Sequence, residues 1–189
     1  MKNNYGHWIS LSFQFLDTSK TIIEETIASE NKWCIIDDKP IEFDNYLEKT
    51  KWSDFNTLVP SIFLFLHGLE LLMKGLISYY DDDIPKNHKV SSLLNTLKSN
   101  NIDNELISIL EKYVGENPSN SIIKEFIEIN NNFNSNNIHI NIRYPEGKQG
   151  ETDFSPLRYQ TEDIIPKLES IVLNIDTIKN KSLKIVRNE

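Results

Sequence analysis

The chain has 189 residues, enough for one domain, with 20 Lys and Arg against 28 Asp and Glu, a formal charge of −8 and a pI near 5.1. That balance excludes a protein that coats nucleic acid through a broad basic surface, because each phosphate contact needs a basic side chain. A hydrophobic share of 39%, with 10% aromatic residues, supplies material for a core and excludes wholesale disorder. Asn occurs 22 times, Ile 26 times and Ala once, a skew that fits A/T-rich bacterial coding and carries no functional weight.

From the N-terminus, Ile9, Leu11, Phe13 and Phe15 alternate as a strand would, whereas Trp8, Leu11, Phe15, Ile22, Ile23 and Ile27 suit a helical face. Thr18 to Glu30 is the firmer helical part, and we expect one helix throughout. The first residues lack the apolar run and small-residue cleavage site of a secretion signal. Asn31 to Pro40 breaks the pattern with the turn signal Asp37-Asp38-Lys39-Pro40. Cys34 is the only cysteine, so an intrachain disulfide and a cysteine zinc site are excluded. Its neighbours Trp33, Ile35 and Ile36 suggest an inert buried thiol.

Leu58 to Tyr80 is the strongest helix, apolar nearly all round as in the centre of a bundle. Pro60, His67, Glu70 and Lys74 interrupt it too often for a membrane span, so we expect a cytoplasmic protein with no membrane partner. Shorter amphipathic helices follow. Val90, Leu93, Leu94 and Leu97 mark one that Asn87 could cap; Ile102, Leu106, Ile109, Leu110 and Tyr113 mark another, stopped by Gly115. Ile122, Ile123, Phe126, Ile127 and Ile129 mark a third, with Ser119 or Ser121 as cap. Asn130 to Asn137 and Gly147 to Pro156 are expected loops. A last helix carries Ile164, Leu168, Ile171, Ile175 and Ile178 and starts at Thr161 or Pro166. The sum is an all-α bundle of four to six helices around one core, with residues 1–40 as an N-terminal helix and connection and 41–189 as the main helical unit.

Two polar clusters carry the candidate chemistry. At about 100° per residue, His67, Glu70, Lys74 and Ser78 form one narrow stripe on the central helix, with Gly68 and Gly75 beside it. Glu70 and Lys74 can pair at i,i+4. The stripe is a solvent face, the polar wall of a ligand or RNA cleft in which Lys74 meets phosphate, or a dimer seam where the two glycines admit another helix. In the second cluster, Ile138 to Pro145, His139 and Arg143 point the same way in either a strand or a helix, with Asn141 and Tyr144 beside them. Arg and His together suit phosphate handling, by bidentate binding and proton exchange near neutral pH; the alternative is a loop in which Arg143 pairs with Glu146. Lys179, Lys181, Lys184 and Arg187 form a small basic tail that either touches RNA or an acidic partner or is a solvated helix end.

The run His67-Gly68-Leu69-Glu70-Leu71-Leu72-Met73-Lys74-Gly75-Leu76-Ile77 resembles the second-helix signature of the HEPN superfamily, the higher eukaryotes and prokaryotes nucleotide-binding domains. His88-Lys89-Val90 with Leu93-Leu94 resembles the segment that follows it there. Arg143-Tyr144-Pro145 and Tyr159 before a terminal helix resemble the end of the domain, so the ordered likeness covers about Phe55 to Ile178. The resemblance implies an up-and-down bundle, a homodimer with its cleft at the interface, and binding of RNA or a nucleotide. It also implies a phage-defence or toxin–antitoxin setting, with a cognate antitoxin or defence protein as partner. Nuclease members place a His four to six residues after an Arg. Here the arginines are Arg143, Arg158 and Arg187 and the last histidine is His139, so that motif is absent.

The expected site is therefore His139 and Arg143 as an atypical catalytic pair, with Lys74, Glu70, His67, Asn141 and Tyr144 binding the ligand. No cofactor is expected. No metal is expected either, because His7, His67, His88 and His139 are far apart in sequence and form no His-x-x-His or Glu-x-x-His pattern. Whether the chain is an enzyme stays open. The competing reading is a catalytically inactive helical module that scaffolds a partner protein; a small-nucleotide hydrolase ranks behind both.

Overall fold

The computed structural model describes residues 5–32, 39–81, 86, 88–130, 133–147 and 150–188. Cys34, the Asp37-Asp38 half of the expected turn signal, and the cap expected of Asn87 lie outside them. Among the described residues the chain forms eight α-helices: α1 (Tyr5–Ala28), α2 (Phe43–Thr50), α3 (Asp54–Tyr80), α4 (Val90–Ser99), α5 (Asn104–Glu111), α6 (Ser121–Ile129), α7 (Ile138–Asn141) and α8 (Ile165–Arg187). The expected all-α bundle is what forms. The stretch expected as a loop from Gly147 contains one two-residue antiparallel pairing, Glu146–Gly147 with Gly150–Glu151.

The ambiguous N-terminus is a single helix because its inward residues recur at helical spacing. Ile9, Ser12, Leu16, Ser19, Ile23 and Thr26 are all buried, a strict alternation of branched apolar and small polar residues every three to four positions. The small residues bring α1 close to α3, where Ser19 Oγ donates to the Ser61 carbonyl at 2.8 Å and Thr26 Oγ1 lies 2.8 Å from Thr57 Oγ1. Opposite Leu16 and Ile9 stand Gly68 and Gly75. Partners therefore descend along α3 as α1 ascends, and the two helices are antiparallel. The close helix that the two glycines admit belongs to the same chain, which corrects their reading as a dimer seam.

The N-terminal helix shares one core with the rest: Ile9, Leu16 and Ile23 of α1 pack in a cluster with Phe65, Leu69 and Leu76 of α3, Leu106 and Leu110 of α5, and Leu168, Ile171 and Ile175 of α8. The α8 helix also runs against α1, with Lys20 Nζ 2.7 Å from the Asp176 carboxylate and Lys179 paired with Asp17. Inside the core, Asn174 Nδ2 donates to Tyr113 OH at 2.6 Å. An 18-residue window of the α2–α3 stretch is apolar enough to cross a bilayer by composition, but 83% of it is buried within the protein. Its apolarity is thus spent on neighbouring helices, as in the central member of a bundle.

Helix ends differ from expectation in detail. The α3 helix begins at Asp54, four residues before Leu58, and holds Pro60 in its second turn, where the ring removes the bond to the Asn56 carbonyl. Asn120 rather than Ser119 or Ser121 caps α6, its Oδ1 accepting from the Ile122 and Ile123 amides at 3.1 and 3.2 Å. Thr161 caps a short 3-10 turn (Glu162–Ile164) that leads into α8, with Pro166 in the first turn of that helix. Two tail lysines are held within the bundle, Lys179 by Asp17 and Lys181 by Asp103 and Glu105. This leaves little of the basic tail for RNA.

A Cβ placed on Gly75 would stand 2.7 Å from Ile9 Cγ1, 3.1 Å from Trp8 Cβ and 3.2 Å from the Ile9 backbone nitrogen, whereas one on Gly6 meets nothing within 4 Å. Overpacking a close helix contact outweighs the gain of about 1 kcal/mol in helix propensity from Gly to Ala. Gly75→Ala is expected to lower the free energy of urea unfolding by about 1–3 kcal/mol, while Gly6→Ala leaves it unchanged or slightly higher. Equal behaviour of the two variants contradicts the close α1–α3 packing.

Candidate functional site

The polar stripe of α3 is not a solvent face. Glu70 is 2% exposed and Lys74 4%, and Ser78 is buried as well, so the helix carries a carboxylate and an ammonium into the interior. Such a pair persists only when both charges are compensated. The i,i+4 spacing supplies the first compensation: Lys74 Nζ lies 2.8 Å from Glu70 Oε1. One turn earlier, His67 places Nδ1 3.5 Å from Glu70 Oε2. The chain entering α4 brings His88, whose Nδ1 is 2.7 Å from Glu70 Oε1 and 3.4 Å from Lys74 Nζ. The α7 turn brings His139, whose Nε2 is 3.3 Å from Glu70 Oε2.

Four basic side chains from three separate segments thus converge on one carboxylate. Burial by itself raises the Glu70 carboxyl, but hydrogen bonds from His67, Lys74 and His88 and the field of His139 outweigh it and hold the group far below the usual carboxylate range. Glu70 is therefore ionised at neutral pH. His139 is shifted the other way for a base: burial pushes its imidazole down, Glu70 opposes that, and the charges of His67, His88 and Arg143 reinforce it. The ring is neutral at pH 7, and neither of its nitrogens makes a hydrogen bond.

Aromatic rings fix the outer part of the cluster. His67 meets Phe15 edge-on at 4.8 Å and stacks on Phe63 at 5.8 Å, while the Arg143 guanidinium lies 6.0 Å from Phe63 and 5.3 Å from Tyr144. Lys74 Nζ lies 5.9 Å from the Trp8 ring, so α1 lines the far side. His88 and Arg143 face solvent and His139 does not, which gives the cluster an inner carboxylate end and an outer end that carries the Arg143 guanidinium.

The structure gathers Glu70, Lys74, His67 and His139 of the expected residues. It separates His139 from Arg143 by burial, because α7 is a single turn that tightens at its end, with the Arg143 amide bonded to the Ile140 carbonyl. Arg143 contacts its neighbouring ring rather than Glu146 in the interactions described. Asn141 ends α7 half-buried, and Tyr144 is exposed beneath the guanidinium, its carbonyl accepting from Thr152 Oγ1 at 3.0 Å. His88 is the member that residue-by-residue reading did not place at the site, although it heads the second motif of the HEPN resemblance. The four histidines looked dispersed, yet three of them lie within 3.5 Å of one carboxylate. A cleft of about 410 Å³ between α4 and the Gly115 turn, bordered by Asn95, Lys98, Glu111 and Ser119, lies apart from this cluster.

Comparison of the chain with protein-family models, curated proteins and solved structures finds no match, so the site rests on its own geometry.

An unfolded chain binds a proton at His139 near its ordinary value of 6.5, above the value that the folded protein allows. Stability supplied by the neutral buried ring is thus complete above about pH 6.5 and is lost as pH falls below it; protonation of Glu70 in the unfolded chain adds a second loss below its ordinary 4.5. Urea unfolding followed from pH 7.5 to 5.5 should show stability falling with acidification, and His139→Leu should flatten that slope. An unchanged slope in the variant contradicts the buried neutral histidine.

Proposed function

We propose that the chain is a HEPN-like protein that binds RNA or a nucleotide through phosphate at the cationic mouth of the Glu70 cluster. The observation that carries this reading is the imbalance of the cluster: one carboxylate faces Lys74, His67, His88 and His139, with Arg143 beside them and His88 open to solvent. A bound phosphate supplies the anionic oxygens that these donors lack, with Arg143 offering its fork and His88 and His67 their ring nitrogens. Phe63 and Tyr144 beside Arg143 add faces on which a base can stack. Local charge of this kind is compatible with a net charge of −8, because it needs a site and not a basic surface.

Within this reading His139 is a positioning residue. Its ring stands behind Glu70 and away from solvent, so proton exchange with a bound phosphodiester falls to His88 or His67. An atypical metal-independent ribonuclease remains part of the proposal, as do a homodimer and a phage-defence or toxin–antitoxin module. The second reading, a scaffold without nucleic-acid affinity, is favoured by α2, on which Phe43 and Leu47 are exposed and Thr50 is the buried residue. Its apolar side chains suit a protein partner.

Fluorescence polarisation with labelled mixed-sequence single-stranded RNA and with ATP tests the reading. Binding is expected at low salt, weakened about tenfold by Arg143→Ala and by His88→Ala, with the salt slope reduced by about one per lost phosphate contact. If neither RNA nor nucleotide binds in any oligomeric state, the reading is overturned. A stable complex with the product of the adjacent gene would then favour the scaffold.

A further inference from the structure

We infer that Glu70, His88 and His139 form a binding site for a borderline divalent cation of the Zn²⁺ class, with Lys74 as its built-in competitor. One ligand atom from each residue lies within 4.8 Å of the others, and the two Glu70 oxygens each face one imidazole, Oε1 at 2.7 Å from His88 Nδ1 and Oε2 at 3.3 Å from His139 Nε2. Donors about 2.1 Å from one four-coordinate ion stand about 3.4 Å apart. The set therefore reaches ligating geometry by closing its widest pair by up to about 1.4 Å and opening the Glu70–His88 pair by about 0.7 Å.

A second observation points to a ligand here. His139 is 4% exposed and both of its ring nitrogens lack a hydrogen-bond partner. A buried polar nitrogen without a partner is costly, and an ion at Nε2, the atom nearest Glu70, removes that cost. Two imidazoles and a carboxylate favour Zn²⁺, Co²⁺ or Ni²⁺ over Mg²⁺, which takes oxygen ligands and keeps its waters. Three protein ligands leave a fourth position open, on the side where His88 meets solvent.

Lys74 accounts for how the cluster stands without an ion. Its Nζ contacts Glu70 Oε1 at 2.8 Å and His88 Nδ1 at 3.4 Å, so the ammonium occupies two of the three donors. Entry of the ion displaces it. The inference does not depend on RNA binding, and it is read without nucleic acid.

The test is titration of the chelator-stripped full-length protein with Zn²⁺ against a chromophoric competitor, together with Co²⁺ absorption in the visible range. One ion per chain is expected, with a rise in Tm that Mg²⁺ does not produce. With folding of each variant verified by circular dichroism, His88→Ala weakens binding at least tenfold and Lys74→Met strengthens it about tenfold. Absence of a one-to-one complex overturns the site. So does affinity unchanged in both variants, which would mean an adventitious ion only. Loss of RNA binding with intact Zn²⁺ binding would count against the phosphate reading and leave the cation site standing.

Discussion

The structure turns on one buried carboxylate. Glu70 sits mid-way along the central helix, and an ionised group there is tolerable only because polar side chains reach it from α3 (His67 and Lys74) and from the segment before α4 (His88). Each approach fixes something else. His88 draws the start of α4 to the carboxylate, Lys74 spans the gap towards α1 and Trp8, and the α7 turn sets the neutral His139 ring behind them. The polar cluster therefore sets where the short helices stand, while the apolar core supplies the bulk of the burial.

The α1–α3 contact is the apolar counterpart of that constraint. Ser12, Ser19 and Thr26 on one helix and Gly68 and Gly75 on the other bring the backbones together; the Ser19 and Thr26 hydroxyls find partners across the seam or along their own helix, whereas that of Ser12 is buried without one. One side of α3 is thereby closed to solvent, and its polar stripe opens only where His88, His67 and Arg143 reach the surface. The site and the helix packing are consequences of the same spacing on α3, in which Gly68 and Gly75 share three turns with His67, Glu70 and Lys74.

Helical periodicity made the architecture legible: α3, α4, α5, α6 and α8 follow from their apolar spacing. What was not legible was which helix covers which face. For Glu70 and Lys74 the pattern leaves open a wet edge, a cleft wall or a dimer seam, because charged residues normally mark solvent and periodicity cannot show that distant histidines reach the stripe. Gly68 and Gly75 correctly signalled a close helix, but the sequence pattern carries no label for whether that helix is the chain's own. His139 and Arg143 share a direction in an ideal helix; a single turn of α7 ends too soon to keep both on one side of the surface. His88 stood in the motif but outside any helix, where no period points inward.

The most direct test of Glu70 as organiser is a double-mutant cycle with Lys74, read by urea unfolding at pH 7.5 in the presence of chelator. Removing one partner of a buried ion pair strands the other, which costs about 3–5 kcal/mol, whereas replacing both with apolar side chains is nearly neutral. Glu70→Leu should thus lose about that much stability, and Glu70→Leu with Lys74→Met should recover most of it. Losses that simply add, or a Glu70→Leu variant as stable as the parent, would contradict the account.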